Sequence, residues 1–548
     1  MAKVVQSLLL SGSFLLGAVS SAAAATVEVM PGDDVEGAIN AAMPGDEIVL
    51  AGGTYELTER FGISVAGTAD APIVIRAKEG EKPNLHRQGA DQNVIDVDDA
   101  MHVVFRGLEI SGGSHGLRLV DASFVTIEDC EIHDTADVAL SANSGGDYEG
   151  LRILRNHIHD TDGTGEGMYL GCNADACRMF DSLIEGNYVH HTNASTVVQG
   201  DGIEIKEGSY NNIVRDNVIH DTNYPCILSY STAGNGAPNI IERNVLWNCG
   251  DHAIQSAADA VIRNNIILGA AANGIAMQPH QSGAPSNLVV VHNTVLNATN
   301  DAISARGITG SVVIANNALY AHKGSAISVA GELGKLTLAG NYGVGAFDGA
   351  SGELNSSGDI GADFVAASFS GALPNDVFPA PGSGLIGAGN VAHLVVDDFN
   401  GTPRGGVADV GAYAFDASGN PGWPLGAGPK SETPVAGAGA GAGGSAGTVA
   451  GAGGEPSGGA GVGGTRASGG VGGMQASAGE GEPGASGSVG GPMPSGDEGG
   501  CGCRIESGRR AASVSWLAGL VLVGLTVERR RRSGRALRLG AGAATRES

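Results

Sequence analysis

"GDGIEIKEGSYNNIVRDNVIHDT", residues 200–222, contains two short alternating apolar runs, and both recur along the chain. The second belongs to a series reading "CEIHD", "NHIHD", "NYVHH", "NVIHD", "NVLWN", "NIILG", "NTVLN" and "NALYA", whose first residues are Cys130, Asn156, Asn187, Asn217, Asn244, Asn265, Asn293 and Asn317. The steps are 21 to 31 residues. The first run belongs to a companion series, "GLRL", "VALS", "GMYL", "GIEI", "CILS", "AIQS", "GIAM", "AISA" and "AISV", from Gly116 to Val329. Each member is a short strand of period two, with the variable lengths falling between strands. Such spacing, with an asparagine at a fixed turn, predicts a parallel β-helix whose coils stack at roughly 4.8 Å. Helical repeats are excluded by the two-residue period. About ten coils fit residues 26–415, and "DDVEGAINAAMPGDEIVLAGGTY" (33–55) predicts a short helical cap followed by the first strand, covering the open sheet edge.

The pattern resembles the right-handed parallel β-helix proteins over about residues 26–415, which implies an all-β solenoid. The segment "GTPRGGVADVGAYAF" (401–415) is similar to the closing segment of many secreted members.

Composition agrees with a repeat fold joined to low-complexity sequence: the 548 residues include 91 glycines and only 4% aromatics. With 58 acids against 31 basic residues, a net charge of -27 excludes nucleic acid as a partner, because that needs a basic face. Residues 1–25 carry Lys3, an apolar stretch and a small-residue run, and read as a secretory signal cleaved near Ala25. Export permits disulfides among the seven cysteines. Cys172 and Cys177 are the foremost pair, Cys226 and Cys249 lie about one repeat apart, and Cys130 is left as a buried thiol. Residues 416–500 are nearly all Gly, Ala, Ser, Pro and Val and read as a disordered linker. Residues 501–548 hold Cys501, Cys503, an apolar run 511–527 and arginines 529–532. Seventeen helical residues span about 25 Å, enough for a thin bilayer with the arginines on the cytoplasmic side. This order of parts resembles the C-terminal surface-sorting tags of myxobacteria, which implies a cell-surface or outer-membrane location, or release after processing. The protein is read as a monomer.

Stacking turns equivalent positions into columns, so each polar residue can be judged against its vertical neighbours. The asparagines read as a hydrogen-bonded ladder. His133, His159, His190 and His220 fall in one column and read as a stacked surface ladder rather than a metal site. Glu185, Arg215, Glu242 and Arg263 alternate in sign, a charge ladder worth about 0.2–1 kcal/mol per pair.

The "GIEI" column departs from this pattern. Its outward positions are read as Arg118, Leu140, Tyr169, Glu204, Leu228, Gln255, Ala276 and Ser304. Two residues on come Val120, Ala142, Gly171, Lys206, Tyr230, Ala257, Gln278 and Arg306. Lys206 is the only lysine between Lys82 and Lys323. Glu166, Asp201 and Glu204 are expected to cluster on two adjacent coils beside it, flanked by Tyr169 and Tyr230. Three carboxylates so close repel unless neutralised, and Ca2+ is the natural cation for oxygen ligands outside the cell. A lysine beside metal and tyrosines can serve as a base. The plainer reading is a surface ion pair of Lys206 with Glu204 or Glu207.

"PGDDVEGAINAAMPGDEIVLAGGTY", "GTADAPIVIRAKEGEKP" and "GDGIEIKEG" resemble the β-helix polysaccharide lyases that degrade pectate, alginate or chondroitin. That resemblance implies an acidic polysaccharide substrate cleaved by β-elimination. Lys206 would be the catalytic base, Glu166, Asp201 and Glu204 the Ca2+ ligands, and Arg118 or Arg306 partners of a sugar carboxylate. A glycoside hydrolase built on the same carboxylates, and a non-catalytic glycan-binding surface protein or adhesin, are the alternatives.

Overall fold

The computed structural model describes residues 24–281, 283–349 and 354–430. Of the expected signal segment (1–25) the first 23 residues, of the expected linker (416–500) those beyond 430, and the whole of the expected tag (501–548) with its apolar run 511–527 lie outside these residues. Among the described residues no helix is long and apolar enough to cross a membrane.

The described residues form an all-β, right-handed parallel solenoid of about eleven turns. One coil shows the plan: Ile203–Ile205, Ile213–Arg215 and Val218–Thr222 lead to Ile227–Ser229, which lies directly against Ile203–Ile205. Strands equivalent to Ile213–Arg215 make a 13-stranded sheet. The other two runs form a 23-stranded sheet, and they are joined where Ala318–Gly331 continues from one run into the other. Period two sends Ile203, Ile205, Val214, Ile219 and Ile227 inward, each 0% exposed, into one continuous core. Burying each such side chain contributes about 1.5–3 kcal/mol, repeated at every coil.

The corners explain residues that look functional when counted alone. Asp216, with φ of 57°, lies just before the strand Val218–Thr222 and Asp221, with φ of 53°, lies near its end, and Asp134, Asp160, His191 and Asn248 occupy the position of Asp221 on other coils. Asp and Asn tolerate this left-handed backbone better than most residues, which gives the recurring His-Asp pairs a backbone cause. Asn217 is fully buried; its Oδ1 accepts from Asn187 N and Nδ2, both at 2.9 Å, and its Nδ2 donates to Asn244 Oδ1 at 2.9 Å. The same bonding continues to Asn341. A second ladder, from Ser182 through Asn212 to Asn239, was not read in the sequence. The rings of His133, His159, His190 and His220 stack in order, with centroids 5.0, 5.1 and 5.2 Å apart, and end on Trp247. Arg215 pairs with Glu185 at 3.0 Å and Arg263 with Glu242 at 2.6 Å, as alternating signs on adjacent strands require.

The structure differs from the sequence reading in three places. The helix Val35–Asn40, capped by Asp34, lies between Thr26–Val29 and Glu47–Leu50, which pair with each other, so the first strand precedes the helix. In the coil of "VALS", Leu140 and Ala142 point inward and Ser141 stands between Arg118 and Tyr169; the extra residue before the strand shifts the pattern by one. The coils, read as filling residues 26–415, stop short of residue 415. The stack ends with Leu354–Asn355, and the chain folds back so that Phe399, Val410, Tyr413 and Trp423 pack with Val218, Val245 and Trp247. Arg404 Nη2 donates to Asn264 Oδ1 at 3.0 Å, and Lys430 Nζ lies 2.7 Å from Asp216 Oδ1. Residues 416–430, assigned to the linker by composition, are thus anchored by a tryptophan and a lysine that the average hides.

Candidate active site

Tyr169, Glu204 and Leu228 are vertical neighbours on paired strands. The amide of Lys206 donates to Leu170 O and that of Tyr230 to Ile205 O, which stacks Lys206 between Gly171 and Tyr230. Gly171 has φ of +89°, and a Cβ there would lie 3.2 Å from Lys206 Cβ and 2.7 Å from Ser209 Oγ. Its missing side chain leaves the lysine stem its path.

Lys206 Nζ lies 2.9 Å from Glu204 Oε1 and 3.3 Å from the Tyr230 hydroxyl. It stands over the Tyr230 ring at 4.3 Å and the Tyr169 ring at 5.1 Å. Lone lysine, two aromatic faces and a carboxylate therefore share one enclosure. The ion pair that the plainer reading placed at the surface is present, but in the interior.

Glu166 and Asp201 precede their strands on adjacent coils, linked by the Gly167 amide donating to Asp201 O at 2.9 Å. One ligand oxygen from each of Glu166, Asp201 and Glu204 lies within 4.8 Å of the others. All three residues are buried, and both oxygens of Glu166, both of Asp201 and Oε2 of Glu204 have no hydrogen-bond partner. The nearby Thr164 hydroxyl is donated to Asp137. Burial, then the charge of Glu204, pushes the Glu166 carboxyl up to about 7. Burial and the same neighbour raise Asp201 well above the usual carboxylate range. Burial also raises Glu204, against the pull of Lys206. Carboxylates in this position either hold protons or bind a cation. Five unpartnered oxygens with no nitrogen or sulfur donor suit a hard cation such as Ca2+, so the residues present fit that group.

Access is closed by two segments between strands. His280 stacks on Tyr230 with ring centroids 4.8 Å apart, and its Nε2 meets the tyrosine hydroxyl at 3.1 Å. The buried Glu207 accepts from Ala174 N at 2.8 Å within the segment Cys172–Cys177, which is joined by a disulfide. A second disulfide joins Cys226 and Cys249, and Cys130 is a buried thiol. As a result Lys206 is only 3% exposed. His280 was missed in the sequence because it does not break the pattern of a strand column, and Glu207, read as a surface partner of Lys206, is instead buried against the Cys172–Cys177 segment.

The two arginines do not join this cluster. Arg118 is three strands from Glu204 in its column, about 14 Å, and Arg306 is four strands from Lys206, about 19 Å. Arg118 instead lines an open groove of about 430 Å³ with Arg60, Asp96 and Asp98. Arg306 is 64% exposed beside Asp301.

The family model described as a Pel9A-like, right handed beta helix region matches residues 17–237, and that for a right handed beta helix region matches residues 167–341. The pectate lyase PEL9 of Emericella nidulans is 33% identical over 118 residues, which cover 19% of this chain and 28% of that protein's length. Among solved structures, an alginate lyase from Paenibacillus is 21% identical with a TM-score of 0.34, covering 61% of this chain and 98% of that one. The pectate lyase Pel9A is 14% identical with a TM-score of 0.41, covering 72% and 96%.

Proposed function

We propose that this protein is an exported polysaccharide lyase that cleaves chains of acidic sugars by β-elimination, with Lys206 as the base. The observation that carries the reading is the juxtaposition of the lone lysine with three buried carboxylates whose oxygens lack partners. The match to a pectate lyase over part of the chain supports the same class of substrate. The lysine amine takes the proton at C5 of the uronate, the electron pair forms the C4–C5 double bond, and the C4–O bond breaks toward the leaving sugar. The Tyr230 hydroxyl, within 3.3 Å of Nζ, stands where a proton can be returned to the leaving oxygen. Glu166, Asp201 and Glu204 would hold Ca2+, and that charge would offset the mutual repulsion of the three carboxylates. Substrate reaches Nζ when His280 leaves Tyr230. Arg118, three coils away in its groove, would meet a carboxylate of a more distant sugar unit, since the proposed substrate is a polymer.

Export through residues 1–25 and attachment at the cell surface through 501–548 belong to the same reading. A second reading, a glycan-binding surface protein without catalysis, is favoured by the closed site. The test is incubation of the purified chain with pectate, alginate and chondroitin, with and without EDTA. Unsaturated ends, read by ultraviolet absorbance and lost in EDTA, support the lyase. Reducing ends without that absorbance would replace it with a hydrolase, and retained binding with neither product would leave an adhesin.

A further inference from the structure

A second cluster of metal-type donors stands on the strands that follow the buried asparagines, on a different face of the coil from Lys206. Strands Glu131–Thr135 and His157–Thr161 pair in parallel, with Glu131 opposite His157 and His133 opposite His159. His157 and His159 flank the inward-pointing Ile158 and so project to the same side. Glu131 Oε1 lies 3.4 Å from His157 Nδ1 and 3.4 Å from His159 Nε2, and the three donor atoms lie within 4.8 Å of one another. A tetrahedral zinc ion with bonds of about 2.0–2.1 Å sets its donors about 3.3 Å apart. Two edges of that tetrahedron are already formed.

His159 Nε2 and Glu131 Oε1 already meet as a hydrogen-bonded pair, and other partners engage the second nitrogen of each ring. His159 Nδ1 meets Asp160 Oδ2 at 2.7 Å, so the tautomer that donates there turns the Nε2 lone pair toward Glu131. His157 Nε2 meets His190 Nε2 at 2.8 Å, and donation from His157 leaves its Nδ1 as an acceptor. Lys82 Nζ donates at 3.2 Å to the other Glu131 oxygen, Oε2. A metal-binding histidine commonly engages its second nitrogen in this way, which fixes ring and tautomer.

We propose that Glu131, His157 and His159 form a zinc-type site with three protein ligands and a fourth position open to solvent. Its mixed nitrogen and oxygen donors select an imidazole-preferring ion over Ca2+, the reverse of the all-oxygen cluster beside Lys206. The histidine stack is the scaffold; the site exists because the adjoining column adds His157 and Glu131.

The test is calorimetric titration of the full, chelator-stripped chain, prepared without a polyhistidine extension, with ZnCl2 in excess Ca2+. Saturable binding of one Zn2+ per chain is expected. It should weaken roughly 100-fold in His157→Gln and His159→Gln, and roughly 10- to 100-fold in Asp160→Asn, with circular dichroism unchanged. His220→Gln, on the same stack, should leave it intact. Absence of saturable binding, binding that survives both histidine changes, or equal loss in His220→Gln would overturn the proposal.

Discussion

The ammonium of Lys206 lies 2.9 Å from Glu204 Oε1, and the two side chains are 4% and 3% exposed. Removing one member of such a pair leaves the other charge buried and alone. Lys206→Met is expected to cost about 3–5 kcal/mol in urea unfolding. The double change Lys206→Met, Glu204→Gln should recover much of that loss. A single variant as stable as the parent would show that the pair is not sealed.

The buried carboxylates impose a pH dependence with a defined sign. Glu166, at about 7, binds its proton more tightly in the folded state than in the unfolded chain, where 4.5 is ordinary. Its contribution is therefore fully present below about pH 4.5 and is lost as pH rises through about 7. Half-buried histidines such as His190, held down to about 3 first by desolvation, run in the opposite direction, so the parent alone is a mixed reading. Glu166→Gln, neutral throughout, isolates the carboxylate: in EDTA its melting temperature should match the parent near pH 4.5 and exceed it increasingly toward pH 7. A difference that shrinks as pH rises would contradict this.

Asn217 carries the ladder between two coils. Asn217→Ala removes the acceptor of the buried Asn187 amide and a donor to Asn244, at about 1–3 kcal/mol for each buried group left unpaired. A loss of at least about 2 kcal/mol in chemical denaturation is expected. A change within error would mean that the asparagines fill space without bonding.

His280 covers Tyr230 and, through it, Lys206. In His280→Ala, acylation of Lys206 followed by peptide mass spectrometry should proceed several-fold faster than in the parent, with the exposed Lys82 as the internal reference. Equal protection in both proteins would place the barrier elsewhere.

The fold was legible because its signal is periodic. Ile203, Ile205, Ile219 and Ile227 repeat a two-residue alternation coil after coil, and Asn217 recurs at each turn. The columns then placed Glu166, Asp201, Glu204 and Lys206 side by side, since adjacency across coils follows from register alone. Register also explains the error at Leu140, where a single extra residue moves a side chain from one face to the other. What the columns could not supply was the third dimension of the loops. His280 reaches Tyr230 from a segment between strands, and Trp423 and Lys430 pack back from the start of the glycine-rich run, where no period constrains the chain. His157 and Glu131 were overlooked for a different reason: they stand in the column next to the histidines, and their donors converge only once side-chain directions are known.

The most direct test of Lys206 as the base is the rate at which unsaturated uronate ends appear when equal amounts of folded parent and Lys206→Ala meet the same acidic polysaccharide in Ca2+. General-base catalysis is worth roughly 10²- to 10⁴-fold, so the parent should form product and the variant should fall by at least about 100-fold while still binding the glycan. Equal rates from the two proteins would contradict the assignment.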